Sequence, residues 1–264
     1  MAARIRYLAI VSPDPEALAG WYRQYLGLRE LGRSDAGVSL TDGFYNLSIL
    51  RPSAGDDEPG LQRFGLEIDD IREVEARLEE YAPCADIAAD AGGLHHGEYR
   101  VLDPNGISLS LSERAFNVPG EDRQLPNIRH VALSVPNNDD VLAFYQQVFG
   151  FEPVSQNEAF VKRVPPITAR FAADGATNLA ILPEPKLLDE PPDGHRKFGL
   201  NHFGFLVPGM EAMLAALPAG SASKRPSNRP FAEYRVVDPE GNNFDISSEH
   251  GFEIAYGVWA KPTP

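Results

Sequence analysis

The sequence predicts an α+β protein built from four β-α-β-β-β units in two tandem halves, and three observations lead there. The first is an internal repeat, which organises everything else. IRYLAIVSPDPEALAGWYRQYLGLREL, from Ile5, matches IRHVALSVPNNDDVLAFYQQVFGFEPV, from Ile128, at an offset of 128 − 5 = 123 residues. TDGFYNLSIL (41–50) then matches ADGATNLAIL (173–182), GLQRFGLEI (60–68) matches GLNHFGFLV (199–207), and EYRVLDPNG (98–106) matches EYRVVDPEG (233–241). The second is helical spacing of apolar residues after the opening strand of each half, and the third is a series of short alternating segments broken by turns.

Each element follows in order. An apolar strand opens each half, IRYLAI and IRHVAL. Leu18, Trp21, Tyr22, Tyr25 and Leu26 then recur on one helix face, as do Val141, Leu142, Tyr145, Val148 and Phe149. Gly27 and Gly150 close these helices, where the left-handed conformation costs a residue without Cβ little. A second helix in each half is expected from DIREVEARLEEY at Asp70 and from GMEAMLAAL at Gly209. The turns TDG, ADG, DPNG and DPEG punctuate antiparallel hairpins. Residues 51–60 and 183–197 link units within a half, and 113–127 join the halves. The expected domains are 1–115 and 126–250, with a tail, 251–264, whose Phe252, Tyr256 and Trp259 are expected to pack back on the protein.

Composition narrows the function. Lys and Arg number 24 against 38 Asp and Glu, a net charge of −14 without a basic cluster, so nucleic acid is not an expected partner. No apolar run approaches the roughly 20 residues that span a bilayer, so no membrane is expected. MAARIRYLAI lacks the order of a secretory signal, and a cytoplasmic location follows as the expectation. The single Cys84 has no partner for a disulfide or a CxxC site and reads as a small apolar residue.

Two histidines interrupt this apolar frame. His130 stands in the opening strand of the third unit, where the first half has Tyr7, and His202 stands in the opening strand of the fourth, where the first half has Arg63. Paired units with a histidine in the opening strand, the helix end FYQQVFGF and the closing DPEGNNFD resemble the vicinal oxygen chelate superfamily. That superfamily includes glyoxalase I, extradiol ring-cleaving dioxygenases, methylmalonyl-CoA epimerase, and the fosfomycin and bleomycin resistance proteins. The resemblance covers residues 4 to 248 and implies curved mixed sheets wrapped round a cup. Two fused double units are most similar to the type I extradiol dioxygenases, whose C-terminal half holds the metal and whose N-terminal half is a degenerate copy.

The resemblance implies a metal face of His130, His202 and Asp245, with Fe(II) favoured and Mn(II) or another divalent ion as alternatives. Two histidines and one carboxylate leave about three positions of an octahedral ion for substrate oxygens or O₂. Tyr7, Arg63 and Ser110, the aligned residues of the first half, form no such set. The family usually carries Glu at the third position. Asp245 is one methylene shorter, about 1.5 Å of reach, and Glu249 shares its face by strand alternation.

The leading expectation is therefore an extradiol-type dioxygenase acting on a catechol-like aromatic, with Tyr234 as its acid–base group. The family's upstream histidine has no match in KRPSNRPFAE, which leaves His195 and His250 as the other histidines of this half. A glyoxalase- or epimerase-type lyase or isomerase is the alternative, with Glu233 as base. A metal-free small-molecule binding protein is the third, although it would have no use for two matched histidines. Phe160, Val161, Phe171, Phe205 and Phe231 would suit an aromatic or apolar substrate, and the edge strands suggest a homo-oligomer. His95-His96 reads as a surface turn.

Overall fold

The computed structural model describes residues 3–53, 58–82, 86–120, 122–154, 169–183, 198–225 and 232–248. Cys84, Phe160, Val161, His195, Phe231, Glu249, His250 and the aromatic tail lie outside the described residues. The first unit is β1 (Arg4–Val11), α1 (Pro15–Leu26), β2 (Arg29–Ser34), β3 (Gly37–Thr41) and β4 (Asn46–Leu50); the second is β5 (Gly60–Glu67), α2 (Ile71–Tyr81), β6 (Ala88–Ala89), β7 (Tyr99–Leu102) and β8 (Ser108–Ser112). The third is β9 (Asn127–Ser134), α3 (Asn138–Phe149), β10 (Glu152–Pro153), β11 (Arg170–Ala173) and β12 (Asn178–Leu182); the fourth is β13 (Gly199–Leu206), α4 (Met210–Ala216), β14 (Ala222–Lys224), β15 (Tyr234–Val237) and β16 (Asn243–Ser247). The expected α+β order of four β-α-β-β-β units is the one observed.

Local chemistry explains the helices. Asp14, Asp70 and Asn137 cap α1, α2 and α3 by accepting from Ala17, Arg72 and Asp140 backbone N–H groups. Gly27 and Gly150 end α1 and α3 in the left-handed region at φ 65° and 74°. The Asp103 and Asp238 side chains each accept two backbone N–H bonds across the following turn, from Asn105 and Ile107 and from Glu240 and Asn242, which sets the β7–β8 and β15–β16 hairpins.

Each half is one eight-stranded sheet, ordered β2-β3-β4-β1-β5-β8-β7-β6 and β10-β11-β12-β9-β13-β16-β15-β14. Within a half, the opening strands of its two units pair antiparallel at the centre, β1 with β5 and β9 with β13. One face of each sheet carries the helices, and these faces share a single core. Tyr22 of α1 packs on Phe203 and Phe244 of the other half, while Tyr145 of α3 packs on Phe64. The opposite faces are concave and carry separate small clusters: Ala132, Phe171, Ala173 and Ala180 in the second half, Tyr7, Ala9, Leu50 and Phe116 in the first. Among the described residues, no helix is long and apolar enough to cross a membrane.

Candidate functional site

Strand alternation decides which side chains reach the second concave face. Along β9, Val131 and Leu133 enter the shared core, so His130 and Ala132 face the cup. Phe203 and Phe205 of β13 also enter that core, which turns His202 and Gly204 to the cup. Phe244 and Ile246 of β16 do the same and leave Asp245 on the cup side. The pairings join these three strands side by side, with Gly204 opposite both His130 and Asp245. His130, His202 and Asp245 are thus brought to one patch, each at most 6% exposed.

Each of the three has a partner that orients it. His130 Nδ1 donates to Asn178 Oδ1 at 2.8 Å, from the register position beside it on β12. His202 Nδ1 donates to Asn201 Oδ1 at 2.8 Å. The register of β13 slips between Leu200 and His202, and that irregularity brings the side chain of residue 201 round to its neighbour. Arg235, opposite Asp245 on β15, donates its Nε to Asp245 Oδ1 at 2.9 Å. Since an amide oxygen only accepts, the His130 imidazole carries its proton on Nδ1 and keeps Nε2 as the basic nitrogen.

Burial, and then the neighbouring His202, push His130 down to about 3, so that ring is neutral; burial also lowers His202, against Asp245, which raises it. Burial alone would raise Asp245, but its neighbours outweigh it and hold the carboxyl well below the usual range. Among those neighbours His202 comes first, through charge and a hydrogen bond, followed by Arg235 and, further off, Arg225. His202 Nε2 faces Asp245 Oδ2 at 3.4 Å.

The donor set suits a divalent ion. Adjacent corners of an octahedral ion with bonds of about 2.1 Å lie about 3 Å apart, close to this spacing. The His130 ring lies 5.2 Å from that of His202, centroid to centroid. Among the described residues, no three His, Cys, Asp or Glu side chains close to the distances of a finished cation shell. Arg235 occupies one Asp245 oxygen, and the other faces His202.

Other expected residues are placed elsewhere. Tyr234 pairs with Ile246 and packs against the shared core, on the strand face away from Asp245. Glu233 Oε1 accepts from the Ser248 N–H and hydroxyl at 2.9 and 3.1 Å, tying the end of β16 to β15. Phe205 faces the core rather than the cup, whereas Phe171 does belong to the cup cluster. Sequence reasoning missed Arg235, since EYR occurs in both halves and reads as part of the fold.

The first cup shows the contrast. Phe116 stacks on Tyr7 with ring centres 4.7 Å apart, and the Tyr7 hydroxyl donates to the His95 carbonyl. A Cβ on Gly65 would meet Phe116 Cζ at 2.5 Å, so glycine makes room for that ring. His95 is not a surface turn residue: it is 5% exposed, with Ser39 on Nδ1 at 2.9 Å and Ser34 on Nε2 at 2.8 Å. The first cup is filled by its own chain.

Comparison with known proteins bears on the fold that carries this geometry. Residues 127–246 match the family model described as Glyoxalase/Bleomycin resistance protein/Dioxygenase superfamily. No curated protein sequence matches the chain. Among solved structures, the 2,3-dioxygenase LapB from Pseudomonas sp. KL28 is 20% identical, with 96% of each chain covered and a TM-score of 0.64. A Mn(II)-bound glyoxalase from Novosphingobium aromaticivorans is 19% identical over 97% of this chain and 87% of its own, at a TM-score of 0.66. Homoprotocatechuate 2,3-dioxygenase from Arthrobacter globiformis is 15% identical over 93% and 79%, at 0.65. At these identities the structures share the fold, and the family match assigns residues 127–246, the second half of the repeat, to the Glyoxalase/Bleomycin resistance protein/Dioxygenase superfamily.

Proposed function

We propose that the second cup is the active site of a divalent-metal enzyme that takes a small aromatic or apolar substrate through two adjacent oxygens. The observation that carries this is the buried face of two histidines and one carboxylate, with His202 Nε2 and Asp245 Oδ2 3.4 Å apart and the His130 ring beside them. His130, His202 and Asp245 would hold the ion, Fe(II) or Mn(II). When bound, it supplies Lewis-acid polarisation of the substrate oxygens. Ala132, Ala173, Ala180 and Phe171 offer the substrate a floor of small side chains and one aromatic ring. Burial of the site excludes bulk water and strengthens every charge interaction within it.

Ring cleavage of a catechol-like substrate is the leading reaction, from the two-half architecture with one metal-type face. A lyase or isomerase is the second reading: the residue facing Asp245 across β15 is Arg235, a cation that would stabilise a developing oxyanion but cannot exchange a proton near neutral pH. Tyr234, the expected acid–base group, points to the core.

The test has two stages. The purified protein is loaded anaerobically with Fe(II) or Mn(II) and the bound metal is measured. One ion per chain is expected in the wild type and in Tyr7→Ala, with loss in His130→Ala; equal binding by both variants would overturn the site. Oxygen uptake with a catechol panel then separates the reactions, and silence across it moves the assignment to proton-transfer chemistry.

A further inference from the structure

We infer that Asn178 is a positioning residue that holds His130 in the tautomer and ring orientation a metal requires. This rests on the metal reading of the second cup. It also makes a claim about the metal-free protein, so the two can fail separately.

The repeat isolates what Asn178 does. Tyr7 pairs with Asn46 between β1 and β4 as His130 pairs with Asn178 between β9 and β12. The same residue type stands in the same register, yet its bonds differ. Asn46 donates its amide to the Leu94 and Phe116 carbonyls at 2.7 and 3.0 Å, and its Oδ1 accepts from the Ser48 hydroxyl at 2.9 Å. It is a strut for the chain that fills the first cup.

Asn178, 4% exposed, directs its Oδ1 at His130 Nδ1 instead. The position of Ser48 is taken by Ala180, which pairs with Ala132 as Ser48 pairs with Ala9. Alanine brings no hydroxyl to compete for the Asn178 oxygen. A Ser-to-Ala difference and a Tyr-to-His difference on neighbouring strands thus act together: one supplies the imidazole, the other leaves an amide oxygen to orient it. An acceptor at Nδ1 fixes the proton there, makes Nε2 the basic nitrogen and restricts rotation of the ring.

Three variants test this: Asn178→Leu removes the acceptor at similar volume, Asn178→Asp keeps one, and Ala180→Ser adds a competing donor while leaving Asn178 in place. The first measurement needs no metal. In ¹⁵N-labelled apoprotein the His130 nitrogen shifts report the tautomer. The Nδ1–H form is expected in the wild type and Asn178→Asp, and a mixed or Nε2–H form in Asn178→Leu and Ala180→Ser. The second is the Mn(II) dissociation constant, expected to weaken about 10- to 100-fold in Asn178→Leu and to stay near wild type in Asn178→Asp. Should Asn178→Leu fail to fold, Ala180→Ser carries both measurements. An unchanged tautomer in Ala180→Ser and Asn178→Leu, with wild-type Mn(II) affinity, overturns the inference while leaving the metal site standing. Absence of Mn(II) binding in the wild type overturns the metal reading, and the apoprotein tautomers still decide the role of Asn178.

Discussion

Arg235 and Asp245 form a buried pair, with side chains 12% and 4% exposed, and the cost of breaking such a pair exceeds its net contribution, because the survivor is left charged without its partner. Arg235→Met is therefore expected to cost about 3 kcal/mol of stability. Adding Asp245→Asn removes the stranded anion and should return part of that loss. Urea unfolding of the two single variants and the double variant measures the coupling, and strict additivity would show that the pair is not coupled. That His130 and His202 set the second half apart was legible in sequence because the repeat supplied Tyr7 and Arg63 as controls. Arg235 was not, since its type recurs at Arg100 and only the pairing Arg100 to Ser110 against Arg235 to Asp245 reveals that the partner has changed. Nor was His95, whose buried place depends on serines from β2 and β3, distant in sequence.

At the scale of elements, strands, helices and hairpins were legible because periodicity, caps and turn residues agree locally. The turn that fills the first cup was not. Ala115, Phe116 and Asn117 all have positive φ, 49°, 51° and 62°, with no glycine to signal it. The burial of Phe116 offsets this backbone strain, so Phe116→Ala should cost about 3–5 kcal/mol in denaturant unfolding. A loss below 1 kcal/mol would mean the first cup is held by other contacts. The DPNG turn gives a pH signature. Asp103 Oδ2 is buried without a hydrogen-bond partner among the described residues, and burial pushes the carboxyl up to about 6, against two backbone bonds that lower it. The folded protein then binds the proton more tightly than the unfolded chain, so this group favours the fold when protonated and disfavours it increasingly as pH rises from about 4 through about 6. Asp103→Asn should gain on the wild type by roughly 2–3 kcal/mol between pH 4 and pH 7. A stability difference that does not change with pH would contradict this.

Across the whole molecule the two halves are clasped by a reciprocal pair of aspartates that the repeat makes symmetric. Asp42 Oδ1 accepts from the Phe44 and Tyr45 N–H groups of its own turn, and its Oδ2 accepts from Ile128 N in the other half at 2.8 Å. Asp174 Oδ1 accepts from Ala176 and Thr177 N–H, and its Oδ2 accepts from Ile5 N at 2.6 Å. Tyr45 and Thr177, repeat equivalents, meet through their hydroxyls at 2.7 Å. Each carboxylate thus couples the turn after one unit's third strand to the opening strand of the other half, the strand that carries Tyr7 or His130. Asparagine cannot replace either one, because whichever way its amide lies, the NH₂ end opposes a backbone donor. Each Asp→Asn change should cost about 1.5–3 kcal/mol, the contribution of a hydrogen bond to a charged group. The site should feel the change unequally. Asp42→Asn loosens the start of β9 and is expected to weaken metal binding, while Asp174→Asn loosens the start of β1 and should leave it near wild type. Calorimetric unfolding and Mn(II) titration of both variants provide the check: equal destabilisation with unequal affinity is the expected pattern, and equal affinity would mean that the shared core alone positions His130.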